Sequence, residues 1–267
     1  MDPFRIIPPR AAAVPILVSV PHCGTAFPDE LIGAYDASLI HRPDDTDWFV
    51  DQLYEFVGDM GITMVHATYS RWVIDLNRDP ERKPLYSDGR IITDLCPATT
   101  FSGQPLYNDK REVVEAEEVA RRLELYYYPY HHVIGQHLKA LKERFGQALL
   151  WDCHSIRRRV PAIQRDNFPD LILGDADGTA AASSFVACAV NELQASRYTF
   201  SHNHPFKGGY ITRHFGNPSQ GIHALQLEMV KANYMGDDEL SYSRPRAEEI
   251  REVLKKTLGR LIEKIIT

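Results

Sequence analysis

The sequence predicts an α/β fold: one domain over residues 1–267, with a mixed or largely parallel sheet flanked by helices. Three observations predict it. Short apolar runs alternate along the chain with amphipathic stretches of helical period. The run Ile16-Leu17-Val18-Ser19-Val20 has apolar character on both faces, as in a central strand covered by helices on both sides. Two such runs end by releasing polar groups. Residues 16–20 run into Pro21-His22-Cys23-Gly24, and Leu149-Leu150-Trp151 runs into Asp152-Cys153-His154-Ser155-Ile156-Arg157. Open α/β sheets place their ligands at the carboxyl ends of strands, so these two exits define the expected site.

Residues 1–15, rich in Pro and Ala, read as an extended lead-in to the strand at 16–20, and residues 21–28 as loop. Residues 47–60 have helical spacing, with Phe49, Val50, Leu53, Tyr54 and Val57 on one side and Asp44, Asp45 and Thr46 as candidate N-caps. Asp47 and Asp51, four apart, would share a face of that helix. Gly61 ends it, and 62–65 and 72–76 read as strands. Residues 79–108, with many prolines and little periodicity, read as a long ordered loop near the site. Residues 112–144 read as two helices or one kinked helix broken near Pro129. The strand at 148–152 follows, then a short strand at 169–174, a helix at 179–194 and a strand at 198–200. Lys207 to His214 reads as a flexible Gly-Gly pair entering a short strand. Residues 223–229 read as a strand with Gln226 and Glu228 on one face, and 246–266 as a terminal amphipathic helix.

Composition narrows the function. A net charge of -6 lacks the basic surface that a nucleic-acid backbone requires. No apolar run approaches the ~18 residues of a membrane span, and the first residues lack signal-peptide character, so a cytoplasmic setting is expected. The four cysteines (Cys23, Cys96, Cys153, Cys188) form no CxxC pair and read as reduced thiols.

Two histidines at strand exits, with an acidic residue, make a common zinc set, and a catalytic zinc keeps three protein ligands. The expected ligands are His22 and His154, with Asp47 as the acidic candidate and Asp45 and Asp51 as rivals. N-capping and charge at a helix start account equally well for part of the Asp44–Asp51 cluster. Asp152, two residues before His154 on a strand, shares its face and could orient an imidazole. Glu228, a carboxylate in an apolar strand, is the general-base candidate; the plain alternative is a solvated sheet edge. Arg71, Arg78 and Arg213 are candidate anion clamps, since guanidinium binds carboxylates through a planar fork. Cys23 with His154 is a rival nucleophile and base; Cys153 and His154 point to opposite faces. His202 and His204, near the Gly-Gly loop, are placed along the pocket.

The stretches Ser19-Val20-Pro21-His22-Cys23-Gly24, Asp45 to Asp51, Ser70 to Pro80, Trp151-Asp152-Cys153-His154-Ser155 and Lys207-Gly208-Gly209-Tyr210-Ile211-Thr212-Arg213-His214 through Glu228 resemble N-formylglutamate amidohydrolases (N-formylglutamate deformylases). The likeness runs in order across about residues 15–236. It implies a fold akin to zinc carboxypeptidases and hydrolysis of N-formyl-L-glutamate to formate and L-glutamate, a step of histidine degradation. It also implies one Zn2+ (or another divalent ion) per chain, with His22, Asp47 and His154 as zinc ligands and Glu228 as general acid/base. In one respect the chain departs from the related carboxypeptidases: Thr25 stands where they carry a Glu three residues after the first His. Arg78 and Arg213 are assigned to a small dicarboxylate substrate from charge and position, with Asn77, Thr212 and Ser155 beside them. No nucleic-acid or membrane partner is expected. Two other readings stay open: a zinc hydrolase of another N-acyl amino acid or short peptide, and a non-catalytic binding protein on the same scaffold.

Overall fold

The computed structural model describes residues 1–85 and 93–267. Its strands are β1 (Phe4–Ile7), β2 (Ile16–Val20), β3 (Thr63–Ala67), β4 (Ala148–Ile156), β5 (Leu171–Gly174), β6 (Phe200–His202) and β7 (Ile222–Val230). They form one sheet in the order β1-β3-β2-β4-β7-β5-β6. The central strands β3, β2, β4 and β7 run parallel, β1 and β5 pair antiparallel with β3 and β7, and β6 runs parallel to β5. The helices are α1 (Asp29–Ile32), α2 (Ala37–Ile40), α3 (Val50–Leu53), α4 (Ala116–Arg122), α5 (Tyr128–Phe145), α6 (Ser183–Gln194), α7 (Tyr210–Phe215) and α8 (Arg244–Ile266). The mixed sheet between helices is the architecture the alternation predicted. Among the described residues no helix is long and apolar enough to cross a membrane.

Both faces of the central strands are covered. β2 and β4 are buried along their whole length, which explains the apolar runs with which they begin. Ile16, Val18, Leu149, Trp151, Leu225 and Leu227 pack with α6 and α8 on one face, whereas Leu17, Leu150 and Ala224 pack with Tyr130, Ile134 and Leu138 of α5 on the other. The α5 face changes character toward the carboxyl ends of the strands. Ser19, Asp152 and Gln226 stand side by side in register, followed by His154 opposite Glu228. With a side-chain period of two, these groups continue the rows begun by Leu17, Leu150 and Ala224.

Several local expectations are corrected. Residues 72–76 form no strand; they are a buried turn held by Val73 N–H to Ser70 O and Asp75 N–H to Leu95 O. Their apolar sequence reflects burial, which a covered turn needs as much as a strand does. Tyr210 to His214 belongs to α7, because Ile211 and Phe215, four apart, both pack into the α5-side core and Tyr210 stacks on His214 one turn on. The helix expected at 47–60 reduces to α3 and a 3-10 turn at Glu55–Met60, so Asp47 lies ahead of it and shares no helix face with Asp51. Phe49 occupies its N-cap without a side-chain bond, so none of Asp44, Asp45 and Thr46 caps it. Residues 4–7, read as lead-in, form edge strand β1; the pattern of a half-exposed edge is too short to register. The break expected near Pro129 is a π turn at Leu123–Tyr127, and the proline lies in the first turn of α5. Of the 79–108 loop, residues 86–92 lie outside the described residues.

His131 ties α5 to the buried turn. Its Nε2–H donates to Leu76 O at 2.8 Å, its ring stacks on Tyr127, and its Nδ1 is buried without a partner. Burial lowers its pKa to about 3. The unfolded chain, with histidine near 6.5, binds the proton first, so stability contributed by neutral His131 is present above about pH 6.5 and is lost as pH falls toward 3. The urea midpoint should therefore fall over this window with a contribution of up to about 1.4 kcal/mol per pH unit from this group. His131→Gln should flatten the pH dependence, and an unchanged slope would refute the assignment.

Candidate active site

The groups at the strand exits converge. The polypeptide leaves β2 at Val20 and places His22 in the turn beyond, where its carbonyl accepts the Asp47 N–H at 2.9 Å and draws the segment ahead of α3 over the sheet. His154, on the last turn of pleat of β4, stands beside it with ring centroids 4.8 Å apart. Asp47 Oδ2 lies 3.2 Å from His154 Nδ1 and 3.7 Å from His22 Nδ1, with all three residues buried. Around a tetrahedral ion with bonds of ~2.0–2.2 Å, nitrogen and oxygen ligands stand roughly 3.4 Å apart. The observed spacings bracket that value, and His22 Nδ1 is a buried nitrogen with no hydrogen-bond partner. These three side chains fit a divalent metal.

The far nitrogens are fixed by carboxylates, the usual arrangement behind metal-binding imidazoles. His22 Nε2 donates to Asp75 Oδ1 at 2.7 Å, and His154 Nε2 to Asp152 Oδ2 at 2.9 Å. Asp152 Oδ1 in turn accepts from Ser19 Oγ at 2.9 Å, whose oxygen is 3.0 Å from the Tyr130 hydroxyl. Asp75 is completely buried between His22 and Arg71, whose guanidinium donates to Oδ2 at 2.6 Å. Burial alone would raise the Asp75 carboxyl, but Arg71, Arg78 and His22 hold it well below its usual range. Burial opposes the charge of Asp47 too, and His154 and His22 pull its carboxyl down. For His154 burial favours the neutral ring, yet Asp152 and Asp47 raise its pKa well above the usual value. Three carboxylates around two imidazoles make this a place where positive charge is stabilised.

Glu228 shares the cavity, which measures about 110 Å³ and is lined by the metal-type cluster together with Arg71, Asn77, Arg78, Phe101, Ser155, Gly209 and Gln226. Its carboxyl makes no hydrogen bond or ion pair among the described residues, and burial pushes its pKa up to about 8. A larger cavity of about 540 Å³ adjoins this one and shares Phe101, Ser155, Ile156 and Ile163 with it. The reactive groups sit in the smaller.

The other expected residues divide. Arg78 and Ser155 line the cavity, Arg78 bonded to Thr93 and Ser155 to the Tyr234 hydroxyl. Asn77 lines it too, 3.0 Å from His154 Nε2, and its Oδ1 accepts the Ile211 N–H. Thr212 and Arg213 are not among the described lining residues: both lie on α7, Thr212 fully buried and Arg213 exposed with its Nε bonded to Gly208 O. Arg71, also a candidate clamp, lines the cavity with its guanidinium 4.8 Å over the Phe101 ring. Of the rival acids, Asp45 accepts from Trp72 Nε1, and Asp51 turns toward Cys23 and His66. His202 pairs with Asp175, and neither it nor His204 lines the cavity. Cys153 lies on the opposite face from His154, and burial raises both it and Cys23 well above the usual thiol range, against a thiolate nucleophile. Asp75 escaped the sequence reading because it sits inside the run taken for a strand; its signal was a carboxylate flanked by Arg71 and Arg78.

With this geometry in view, the family is decided by sequence. The model of the family N-formylglutamate amidohydrolase matches residues 14–235. The chain belongs to this family. It is 41% identical over 259 residues to an N-formylglutamate deformylase of Pseudomonas aeruginosa, covering 95% of this chain and 94% of that one. An N-formylglutamate deformylase of Pseudomonas putida is 40% identical over 93% of this chain and 92% of its own. The crystal structure of an N-formylglutamate amidohydrolase from Ralstonia eutropha JMP134 matches with a TM-score of 0.83 at 28% identity, covering 99% of each chain.

The Gly-Gly pair is a rigid part of this family member's site. Gly208 has a φ of +103°, and Gly209 donates to Gln226 Oε1 while lying so close to Asn77 that a Cβ would stand 2.2 Å from its Nδ2. Gly209→Ala should cost about 1–3 kcal/mol in urea unfolding by overpacking Asn77. Gly259→Ala, in α8 with open space around the new methyl, should gain about 0.5–1 kcal/mol. A neutral Gly209→Ala would show that Asn77 can shift freely.

Proposed function

We propose that the protein hydrolyses the formamide bond of N-formyl-L-glutamate to formate and L-glutamate, with a divalent ion, zinc by the chemistry of the ligand set, held by His22, Asp47 and His154. The observation that carries hydrolysis is Glu228 standing in one small cavity with that ligand cluster. The substrate rests on the family and on the names of the Pseudomonas relatives. Imidazole and carboxylate suit zinc, and the cluster leaves room for further ligands on its cavity side.

The bound ion would acidify water and polarise the formyl oxygen. Glu228 takes a proton from the attacking water. A carboxyl poised near neutral pH can also give that proton back, and it passes it to the departing amine nitrogen as the carbon–nitrogen bond breaks. Arg71 and Arg78 supply the positive charge that holds the glutamate carboxylates, Arg71 steadied by Asp75 and Arg78 by Thr93. Asp152 and Asp75 keep the two imidazoles turned with Nδ1 toward the cluster. The small volume beside the cluster favours formyl over larger acyl groups. On this reading the reaction belongs to histidine breakdown in the cytoplasm.

Formate release from N-formyl-L-glutamate by the purified protein should stop on treatment with a chelator and return with Zn2+. Undiminished release in fully metal-stripped protein would remove the metal from the mechanism. Glu228→Gln should keep its metal content and lose about 10²–10⁴-fold in kcat. Asp152→Asn should instead weaken metal affinity by roughly 10–100-fold, read as the metal retained at equilibrium dialysis. Turnover unchanged in Glu228→Gln would deny it the base role.

A further inference from the structure

Close in sequence to two residues of the proposed catalytic cluster lies a second convergence of ligating atoms. Cys23 follows His22 in the chain, and Asp51 comes one helical turn's length after Asp47. The Cys23 Sγ, a carboxylate oxygen of Asp51 and a ring nitrogen of His66 all lie within 4.8 Å of one another. Cys23 is held in the turn after β2, Asp51 on α3 and His66 on β3, so three separate elements bring one sulfur, one oxygen and one nitrogen together.

The sulfur's neighbours suit a metal. Sγ lies 3.7 Å from His66 Nδ1. With zinc–sulfur and zinc–nitrogen bonds of ~2.3 and ~2.0 Å, a tetrahedral ion separates such a pair by roughly 3.5 Å. Sγ also lies 3.6 Å from the carbonyl oxygens of Val20 and Ala67. A buried thiol donating to one carbonyl accounts for the position of the sulfur alone. The same thiol can instead bond the His66 imidazole; neither bond accounts for the Asp51 carboxylate that also meets them. Asp51 makes no hydrogen bond or ion pair among the described residues, although it is half-buried. His66 is half-buried as well, so an ion could reach this place from solvent without passing through the catalytic cavity.

We propose that Cys23, Asp51 and His66 form a second site for a thiophilic divalent ion such as Zn2+, distinct from the His22–Asp47–His154 cluster. Ion binding would displace the Cys23 proton to solvent, and thiolate with imidazole selects zinc, cobalt or copper over magnesium and calcium. Ligation there ties together the turn after β2, α3 and β3. Two of these carry or adjoin groups of the first cluster, so the second ion acts as a clamp on the segments that position His22 and Asp47.

The two sites differ in one spectroscopic respect: only the second contains sulfur. Chelator-stripped protein titrated with Co2+ should bind a second equivalent that carries a near-ultraviolet thiolate-to-cobalt charge-transfer band. Cys23→Ser should abolish the band and the second equivalent. His66→Gln, which leaves the sulfur in place, should weaken the band-forming step at least ~10-fold, since even losing a group behind a ligand costs that much. Mg2+ should not compete. Absence of the band at saturating Co2+, its survival in Cys23→Ser, or wild-type affinity in His66→Gln would each overturn the proposal. Failure of the catalytic cluster to bind metal would lower the stoichiometry but leave the band.

Discussion

The site hangs on the buried carboxylate of Asp152. A charge in the middle of a parallel sheet, covered on both faces, is costly unless every oxygen is satisfied. Here one oxygen accepts from Ser19 on the neighbouring strand and the other from His154 two residues on, while the Tyr130 hydroxyl from α5 closes the group from above. The arrangement is possible because of the strand's alternation. Leu149, Trp151 and Cys153 fill the core against α6 and α8, and the residues between them are free to be polar on the other face. One strand thus supplies both a core and the orientation of an imidazole. A shift of register by one residue would exchange the two, burying His154 in apolar packing and turning Trp151 into the cavity.

Around this fixed ring the remaining groups come from β7 and from irregular backbone, and Asn77 joins those pieces. Its side-chain oxygen accepts from Ile211 at the start of α7, its amide lies beside His154 and Gln226, and the Gln226 side chain accepts from Gly209. The buried turn at 72–78, the Gly-Gly segment and the end of β7 are held as one body although they are far apart in sequence. Asp75 extends the same logic, binding His22 on one side and Arg71 on the other. The arginine that faces the cavity is therefore positioned by the carboxylate that orients a metal-type histidine. The charge of Arg71 and the orientation of His22 are coupled through a single acid.

The legible part of this architecture was the part encoded by periodicity. His22, His154 and Glu228 stand out because apolar strands rarely carry such groups at their ends without cause, and strand alternation alone put Asp152 with His154 and Gln226 with Glu228 on common faces. The fold class followed from the alternation of short apolar runs and amphipathic helices. What escaped was irregular backbone that is nonetheless buried. Trp72 to Leu76 and Tyr210 to Arg213 have β-branched and aromatic residues because they are covered, and composition cannot separate a covered turn or a short helix from a strand. Of the three candidate arginines, Arg71 and Arg78 line the cavity among the described residues, while Arg213 is carried on α7 and not on a strand. Asp47 was the acidic candidate from the residues, with Asp45 and Asp51 left as rivals. The distinction lies in tertiary partners, Trp72 for Asp45 and Cys23 with His66 for Asp51, which no local pattern encodes.

The partition of space explains how a site of this kind could be selective. The metal-type cluster and Glu228 occupy a cavity of about 110 Å³, and the broader space of about 540 Å³ begins only past Phe101, Ser155, Ile156 and Ile163. An apolar pocket discriminates by only about 1–3 kcal/mol for a missing methylene, but a rigid wall rejects an added one more strongly because the packed core behind it cannot yield. Two residues of the wall are held by side-chain contacts. Phe101 is fixed under Arg71 and its N–H is bound by Asp45; Ser155 is bound by Tyr234. On the proposed reading, selection for the small acyl group and the hold on the arginine facing the substrate carboxylates therefore meet at Phe101. Enlarging the acyl pocket and loosening the carboxylate clamp would be one change rather than two.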